Sequence, residues 1–293
     1  MVSAVRGSDV TADPAGDSMT SSASGAHGTG CRFAGMWGVG DRLVRVRGAL
    51  VALCLLLPAT DARAQWTLAG GVEHFSWTEH TSPLEVKENG PLLGLRIGLS
   101  LPLAPGVFAD YHGRLYFGEV NYEGSLLFDP GVAATATTRY LGTTQQGQLR
   151  HSVVNGFDAA VGLDLDVWHR ELSTDQAEDY RIVSMRIGAE HALSPALPWH
   201  LRAGVKFTLA THENAHFEDL GFRENPPLRP GRSVTPYLDV GYAFARHWSL
   251  AGSFDGYSFG VSNEVELTQG PTPGIFYQPE SDMRVFGLRL EYR

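Results

Sequence analysis

The sequence predicts an all-β fold, a ten-stranded antiparallel up-and-down β-barrel that spans a membrane. Residues 92–101 place large apolar side chains at odd positions and Gly, Arg or Ser at most even ones, and residues 107–117 alternate again after a Pro- and Gly-containing turn. A period of two indicates strands with one apolar and one polar face. A tilted strand of about 9–11 residues crosses a bilayer, so the apolar face is predicted to meet lipid and the charged face to line a lumen.

Two leader segments are expected before the barrel. Residues 1–35 are rich in Gly, Ser, Ala and Thr without hydrophobic periodicity, which predicts a disordered extension or a mis-annotated start upstream of Met36. Residues 36–64 have the pattern of a secretory signal peptide, with basic residues, a short apolar run at 48–58 and an A-x-A site that ends at Ala64. Residues 65–293 are then the predicted barrel.

Removal of residues 1–64 excludes several functional classes. Both cysteines, Cys31 and Cys54, lie in that segment, so disulfides, thiolate nucleophiles and Cys-based zinc sites are not expected in the barrel. The segment holds six of the 23 basic and five of the 32 acidic residues, which leaves a net charge of −10 with His neutral. No basic run survives, so no nucleic-acid partner is expected.

The strand count follows from the positions of the tight turns. Turns are predicted at 103–106, 194–198 and 245–247, and longer polar loops at 79–90 and 118–138. Bacterial barrels place short turns on the periplasmic side, so the chain needs one more descending strand, for which the Gln-rich segment 139–151 is the candidate. The predicted strands are 65–78, with a possible bulge at Gly70-Gly71, then 92–101, 107–117, 139–151, 155–168, 180–191, 199–211, 234–244, 248–261 and 283–293.

The last strand carries a further signal. Phe286, Leu288, Leu290 and Tyr292 alternate with smaller or charged residues up to Arg293. This segment resembles the closing strand that serves as the assembly signal of Gram-negative outer-membrane barrel proteins, although those usually end in Phe. The resemblance implies location in the outer membrane and partnership with its lipid, with lipopolysaccharide and with the barrel-assembly machinery. Tryptophans near strand ends are expected to form the interface girdles of such a barrel: Trp66, Trp77, Trp168, Trp199 and Trp248.

A ladder of charges is predicted inside the barrel. By parity with the apolar face, the inward positions include the following residues: Arg96, Asp110, His112, Arg114, Asp158, Asp164, Asp166, Arg186, Glu190, Arg202, Lys206, Asp239, Asp255, Arg289 and Glu291. Eight-stranded barrels are just filled by side chains, whereas 16–18 strands leave a channel. Ten strands lie near the filled end, so we expect ion pairs that fill the lumen; a narrow path for ions or small solutes is the alternative.

A zinc-protease motif is present in an unsuitable context. His212-Glu213-Asn214-Ala215-His216 matches H-E-x-x-H, which requires a helix so that both imidazoles share one face. The motif begins where a strand is predicted to end and is followed by a loop. Only weak metal binding by His212 and His216 is therefore expected, and no cofactor.

The strand number is similar to that of the omptins, ten-stranded outer-membrane proteases with Asp–Asp and Asp–His pairs at the outer mouth. The corresponding candidates here are Glu73, Glu119, Asp166 and Asp179 with His74 or His212, without a close Asp-x-His pair. Fold alone does not carry function. We therefore expect a structural or binding protein with five external loops rather than an enzyme, with an omptin-like or metal-dependent surface hydrolase as a further alternative.

Overall fold

The computed structural model describes residues 64–126, 129–154, 156–173, 176–193, 198–269 and 272–293. The predicted extension at 1–35 and the signal peptide at 36–64 lie outside the described residues, except for Ala64. Most of the turn predicted at 194–198 lies outside them as well.

The described residues form twelve strands and one short 3-10 helix, Phe217–Leu220. The strands are β1 (Gln65–Glu79), β2 (Val86–Ala104), β3 (Val107–Leu126), β4 (Asp129–Val154), β5 (Phe157–Ser173), β6 (Gln176–Leu193), β7 (Trp199–Asn214), β8 (Val234–Ala245), β9 (Trp248–Phe259), β10 (Val265–Gln269), β11 (Thr272–Phe276) and β12 (Ser281–Tyr292). Among these residues, no helix has both the length and the apolar character needed to cross a membrane.

Ten of the strands form one closed antiparallel sheet, in the order β1-β12-β9-β8-β7-β6-β5-β4-β3-β2. The sheet has no free edge because β1 pairs with β2 on one side and with β12 on the other. The predicted bulge at Gly70-Gly71 is wrong, since both registers run through the pair without a shift. Gly71 is required for a different reason: a Cβ there would lie 2.2 Å from the carbonyl oxygen of Leu288.

The outward faces of the ten strands carry an apolar belt. Representative exposed members are Leu68, Val72, Leu93, Leu95, Ile97, Leu115, Leu141, Leu163, Val183, Val205, Leu238, Leu250, Phe286 and Leu288. Toward the external loops the same faces change to polar residues, here called the polar ring: His74, Asn89, Glu119, Arg139, His169, Arg181, His212 and Arg284. We take the strand segments covered by the belt as the part suited to a bilayer.

The strands extend well beyond the belt, so the loops predicted at 79–90 and 118–138 are largely wrong. β3 continues to Leu126, and residues 129–138 belong to β4. From the polar ring outward along β3, Glu119 and Asn121 remain exposed while Val120 and Tyr122 remain buried. The period of two therefore persists, and only the chemistry of the outward face changes from apolar to polar.

Two of the five tryptophans predicted as interface girdles are inside the barrel. Trp77 and Trp168 are 1% and 2% exposed, because each has the parity of the inward residues on its strand. Trp66, Trp199 and Trp248 do face outward, at the end of the barrel that carries the chain termini.

The loop after β7 and the β10–β11 hairpin form a small lobe with its own apolar core. This outer lobe is built around Ala215, Phe217, Phe222, Leu228, Leu267 and Phe276. It is joined to the barrel by two backbone hydrogen bonds of 2.9 Å between Glu213 and Leu228. The bridge continues the sheet beyond the start of β8 at Val234.

Candidate functional site

Charged side chains line the half of the lumen nearest Gln65 and Tyr292, where β1 begins and β12 ends. The structure places all of the predicted ladder residues inside the barrel, each within reach of a partner. A glutamate that the predicted ladder omits, Glu73, joins two of its arginines. Its carboxylate accepts a 2.9 Å hydrogen bond from Arg96 and is clamped by Nε and a terminal nitrogen of Arg114. A Cβ at position Gly94 would lie 2.9 Å from Glu73 Oε1, so the glycine makes room for the carboxylate.

A second network is centred on Arg150, which lies on the Gln-rich strand β4. Its Nε donates to Asp110 at 3.0 Å, and a terminal nitrogen donates to Asp158 at 2.6 Å. Glu190 lies 3.6 Å from the same Nε. One guanidinium thereby holds three carboxylates from three strands.

A third network reaches the middle of the lumen. Arg186 pairs with Asp164 and, at 2.7 Å, with Asp255. Asp255 also accepts a 2.6 Å hydrogen bond from Lys206. Near these groups, Asp166 accepts hydrogen bonds from Thr144 and Tyr257 rather than from a cation.

The remaining ladder residues pair close to the termini. Arg289 lies 2.7 Å from both Asp239 and Glu291. Arg202 lies 2.8 Å from Glu190 and 3.2 Å from His112 Nε2. Charge is therefore compensated locally along this half of the barrel, as burial of ions requires.

Between these networks lies a cavity of about 450 Å³. Gln65 and Arg293, at the two ends of the barrel sequence, line it together with ladder residues such as Arg202 and Asp239. The cavity is thus a polar vestibule in the half of the barrel toward the termini.

An aromatic layer lies across the lumen on the loop side of the vestibule. Its rings come from Phe75, Trp77, Tyr116, Tyr140, Trp168, Tyr180, Tyr257 and Phe259, packed with Leu92, Val120, Ile182, Met283 and Val285. The rings of Trp77 on β1 and Tyr180 on β6 are 5.9 Å apart. These strands are five positions apart in either direction around the sheet, so the contact spans the full width of the barrel.

A buried cluster of one arginine and three glutamates lies beyond the aromatic layer, above the belt. Arg170 lies 2.9 Å from Glu88 and Glu178 and 3.3 Å from Glu79, and all four side chains are almost wholly buried. Burial lowers the pKa of Arg170, but the carboxylates outweigh it and hold the pKa well above its usual range. Burial raises the pKa of Glu178, but its partners, Arg170 foremost and Tyr180 among them, bring the pKa below its usual value. Both shifts favour the charged forms of Arg170 and Glu178.

An Asp between two His residues lies outside the barrel wall, at the polar ring. Asp179 on β6 is 2.8 Å from His169 Nδ1 on β5 and 2.8 Å from His216 Nε2, at the start of the outer lobe. Burial raises the pKa of Asp179, yet the two imidazoles leave it below its usual value. The arrangement ties the outer lobe to two barrel strands.

The H-E-x-x-H segment does not form the helix that its zinc chemistry requires. His212 faces outward at the end of β7, Glu213 is buried, and His216 has a left-handed backbone with φ of 46°. No group of three or more His, Cys, Asp or Glu within the described ranges is arranged to hold a metal ion.

The residues compared with the omptin site are scattered. Glu73 and Asp166 are taken up in lumen networks, Glu119 pairs with Arg139 at 3.0 Å, and Asp179 meets His169 and His216 rather than His74 or His212.

Sequence reasoning missed Arg150 and the cluster around Arg170. Arg150 has the inward parity of Gln146 and Gln148, a signal hidden because the outward positions of that strand include polar residues. Arg170 lies 91 residues from Glu79, and their proximity depends on register around the whole barrel.

No protein-family model and no curated protein sequence matches the chain. The solved structures that resemble it are outer-membrane β-barrel proteins of protease, channel and translocator types. One is the outer membrane protease OmpT from Escherichia coli, at 8% identity and a TM-score of 0.43, with 81% of this chain and 98% of that chain covered. An outer membrane channel from Pseudomonas putida F1 has 11% identity and a TM-score of 0.39, with 81% and 99% covered. The translocator domain of the autotransporter NalP from Neisseria meningitidis has 10% identity and a TM-score of 0.34, with 86% and 95% covered. At these values the likeness carries no inference about activity.

Proposed function

We propose that the chain is an outer-membrane β-barrel whose lumen is closed and whose role is structural or binding rather than catalytic. The observation that carries this proposal is the pairing of an outward apolar belt on all ten strands with an aromatic layer that spans the lumen. The belt suits a hydrocarbon environment. The layer supports a barrel without a through-path.

The two ends of the barrel support an orientation. The start of β1 at Gln65, the end of β12 at Tyr292 and the tight turns at Gly106 and Ala245 lie at the vestibule end, which we assign to the periplasm. The long strand extensions and the outer lobe then project from the cell surface. Binding on a rigid barrel is expected at such loops.

The polar ring supports lipopolysaccharide as a partner. Arg181 and Arg284 are exposed on the outward face immediately above the belt, at the level where lipid phosphates would lie. Their guanidinium groups suit bidentate contact with phosphate. Insertion by the barrel-assembly machinery is part of the same proposal.

A narrow pore is the second candidate, and the vestibule is the observation that favours it. Conduction would require the aromatic layer to move. A surface hydrolase would rest on His169, Asp179 and His216, with Asp219 3.7 Å from His216.

The test is a pair of outward substitutions on β2. Leu95→Arg puts a charge in the middle of the belt, where Leu95 is 53% exposed, and Asn89→Arg puts the same charge on the polar ring of that strand. In a membrane, the midplane Arg costs about 2–4 kcal/mol. We expect Leu95→Arg to reduce the heat-modifiable band in the outer-membrane fraction and Asn89→Arg to leave it unchanged. A soluble wild-type protein, unaffected by Leu95→Arg, would contradict the proposal.

A further inference from the structure

The apolar belt has one polar interruption between its two rims, on the outward face of β4. In the described strands, Thr143 and Gln145 are the outward belt residues that end in a polar hydroxyl or amide, apart from tyrosines and residues at the rims. Gln145 pairs in register with Gly113 on β3 and Leu165 on β5. On the neighbouring strands, apolar residues lie above and below this level, so Gln145 is near the middle of the belt.

The amide of Gln145 is only partly satisfied within the chain. Its Oε1 accepts a hydrogen bond from Tyr111, and its Nε2 donates to Thr143 Oγ1 at 2.6 Å. The hydroxyl of Thr143 in turn donates to the carbonyl oxygen of Arg114. An amide has two N–H donors and two acceptor lone pairs, so one donor and one acceptor position of Gln145 are left over among the described contacts. In hydrocarbon, such leftover groups are costly.

The wall around the amide is open enough for another surface to approach. Gly147 lies two residues along the same face and is exposed, and a Cβ built there would meet nothing within 4 Å. Gly113 is buried beneath Tyr111, and a Cβ there would lie 2.9 Å from the Tyr111 hydroxyl, so this glycine lets Tyr111 reach Gln145 while Gly147 supplies the open surface. Small residues beside a polar group are what membrane-embedded interfaces use for close approach.

We propose that this face, made by Tyr111, Gly113, Thr143, Gln145 and Gly147, is the interface with a second copy of the chain in the membrane. The inference rests on the proposed outer-membrane function. Two copies insert with the same orientation, so a two-fold axis along the membrane normal brings Gln145 of each copy to the same depth. The leftover donor of each amide then meets the leftover acceptor of the other, and an isologous contact of this kind closes as a dimer.

A second copy is the occupant that the chemistry favours. A different protein would need a polar group at the same depth, whereas a copy supplies one by symmetry. Because barrel strands are tilted by roughly 35–45°, the two β4 strands cross, and contact concentrates at the crossing point. A short patch of polar and small residues is therefore sufficient to form the contact at that crossing point.

The experiment uses cysteine cross-linking in native outer membranes. Gly147→Cys is introduced after Cys31→Ser and Cys54→Ser, which removes both natural cysteines. The matched control is Gly252→Cys, an outward glycine of the belt on β9, five strands from β4 in either direction. We expect an oxidant to give a covalent species of twice the monomer mass for Gly147→Cys and none for Gly252→Cys.

A second variant tests the hydrogen bonds themselves. Gln145→Leu keeps the side-chain size and removes the amide, and we expect the dimer association constant in mild detergent to fall roughly fivefold to tenfold. Absence of the Gly147→Cys dimer, equal cross-linking of both cysteine variants, a cross-link to another protein, or an unchanged constant in Gln145→Leu would overturn the inference. If the dimer fails but the monomer is found in the outer membrane and changes its gel migration on heating, the proposed function still holds. A soluble chain whose gel migration does not change on heating would overturn both the dimer and the proposed function.

Discussion

The ammonium group of Lys206 lies 3.2 Å from the ring centroid of Tyr257 and 2.6 Å from Asp255. This one side chain therefore joins the ion-pair networks of the vestibule to the aromatic layer. A desolvated cation over an aromatic ring gains about 2 kcal/mol. Because the layer is built from side chains of the barrel strands, and is tied to their ion pairs, it behaves as part of the wall rather than as a separate plug.

The first prediction concerns conduction. We expect the wild-type chain to give no conductance steps in planar bilayers, because the Trp77–Tyr180 contact spans the lumen. Replacing Trp77, Tyr180 and Phe259 together by Ala removes three rings of that layer, and we expect steps to appear. The measurement is single-channel current across a voltage-clamped bilayer.

The matched control for conduction replaces three outward aromatic residues, Trp66, Trp199 and Trp248, by Ala. These rings do not enter the lumen, so this variant should remain silent. Steps from the wild-type chain would contradict the closed-lumen reading and favour the narrow pore.

The second prediction concerns Arg170. Arg170→Met leaves Glu79, Glu88 and Glu178 without their shared cation in a fully buried site. Loss of one partner of a buried ion pair costs about 3–5 kcal/mol, so we expect the free energy of unfolding to fall by about that amount. Urea unfolding in detergent, followed by tryptophan fluorescence, measures it.

Two companion variants separate buried charge from lost volume. Arg139→Met removes an arginine that is 67% exposed and paired with Glu119, and we expect a change below about 1 kcal/mol. Adding Glu88→Gln to Arg170→Met removes one uncompensated charge and should restore part of the stability. A double variant no more stable than Arg170→Met would argue against the electrostatic explanation.

The sequence predicted the number of barrel strands because almost every outward position of the belt carries an apolar side chain. The same reasoning placed the ladder residues inside. The prediction failed beyond the belt, where the outward residues are polar. Glu119 and Asn121 are exposed there, so an alternating strand was predicted as a polar loop. It also failed for Trp77, where proximity to a strand end suggested an interface although its parity matched the inward Glu73.

Ion pairs across the lumen could not be predicted from the sequence, for a geometric reason. Arg170 meets Glu79 and Glu88 only because strand register and closure bring β5 opposite β1 and β2. A period of two says which side of the wall a residue faces. It does not say how far along the barrel axis the side chain lies, or which residue faces it across the lumen.

The third prediction concerns the link between Asp179 and the outer lobe. The folded-state pKa of Asp179 lies below its ordinary value, so its ionised form stabilises the fold above the unfolded pKa of about 3.9. That contribution is lost as pH falls through the folded value. We expect Asp179→Asn to reduce amide protection in Phe217–Leu220 at pH 7, measured by hydrogen exchange corrected for intrinsic rates.

The pH dependence gives the control for Asp179. As pH falls below about 3.9, the protection of the wild-type chain should move toward that of Asp179→Asn, because the carboxylate of the opened state takes up a proton there while the folded form stays ionised to lower pH. Asp219→Asn is a matched surface change, 52% exposed and 3.7 Å from the other ring nitrogen of His216, and it should have a smaller effect. A pH-independent difference between wild type and Asp179→Asn would exclude the ionic explanation.

The fourth prediction concerns the core of the outer lobe. Phe217 is fully buried and its ring lies 5.2 Å from that of Phe276, so Phe217→Ala removes the centre of a small core. Phe→Ala in a core costs about 3–5 kcal/mol, which is more than a lobe of this size is expected to withstand. Because the barrel has its own closed hydrogen-bond ladder, we expect trypsin to cut the loop after Arg223 while the heat-modifiable barrel band survives. Val261→Ala, at a 55% exposed position, should leave the loop resistant. Loss of the barrel band in Phe217→Ala would mean that the lobe and the barrel fold as one cooperative unit.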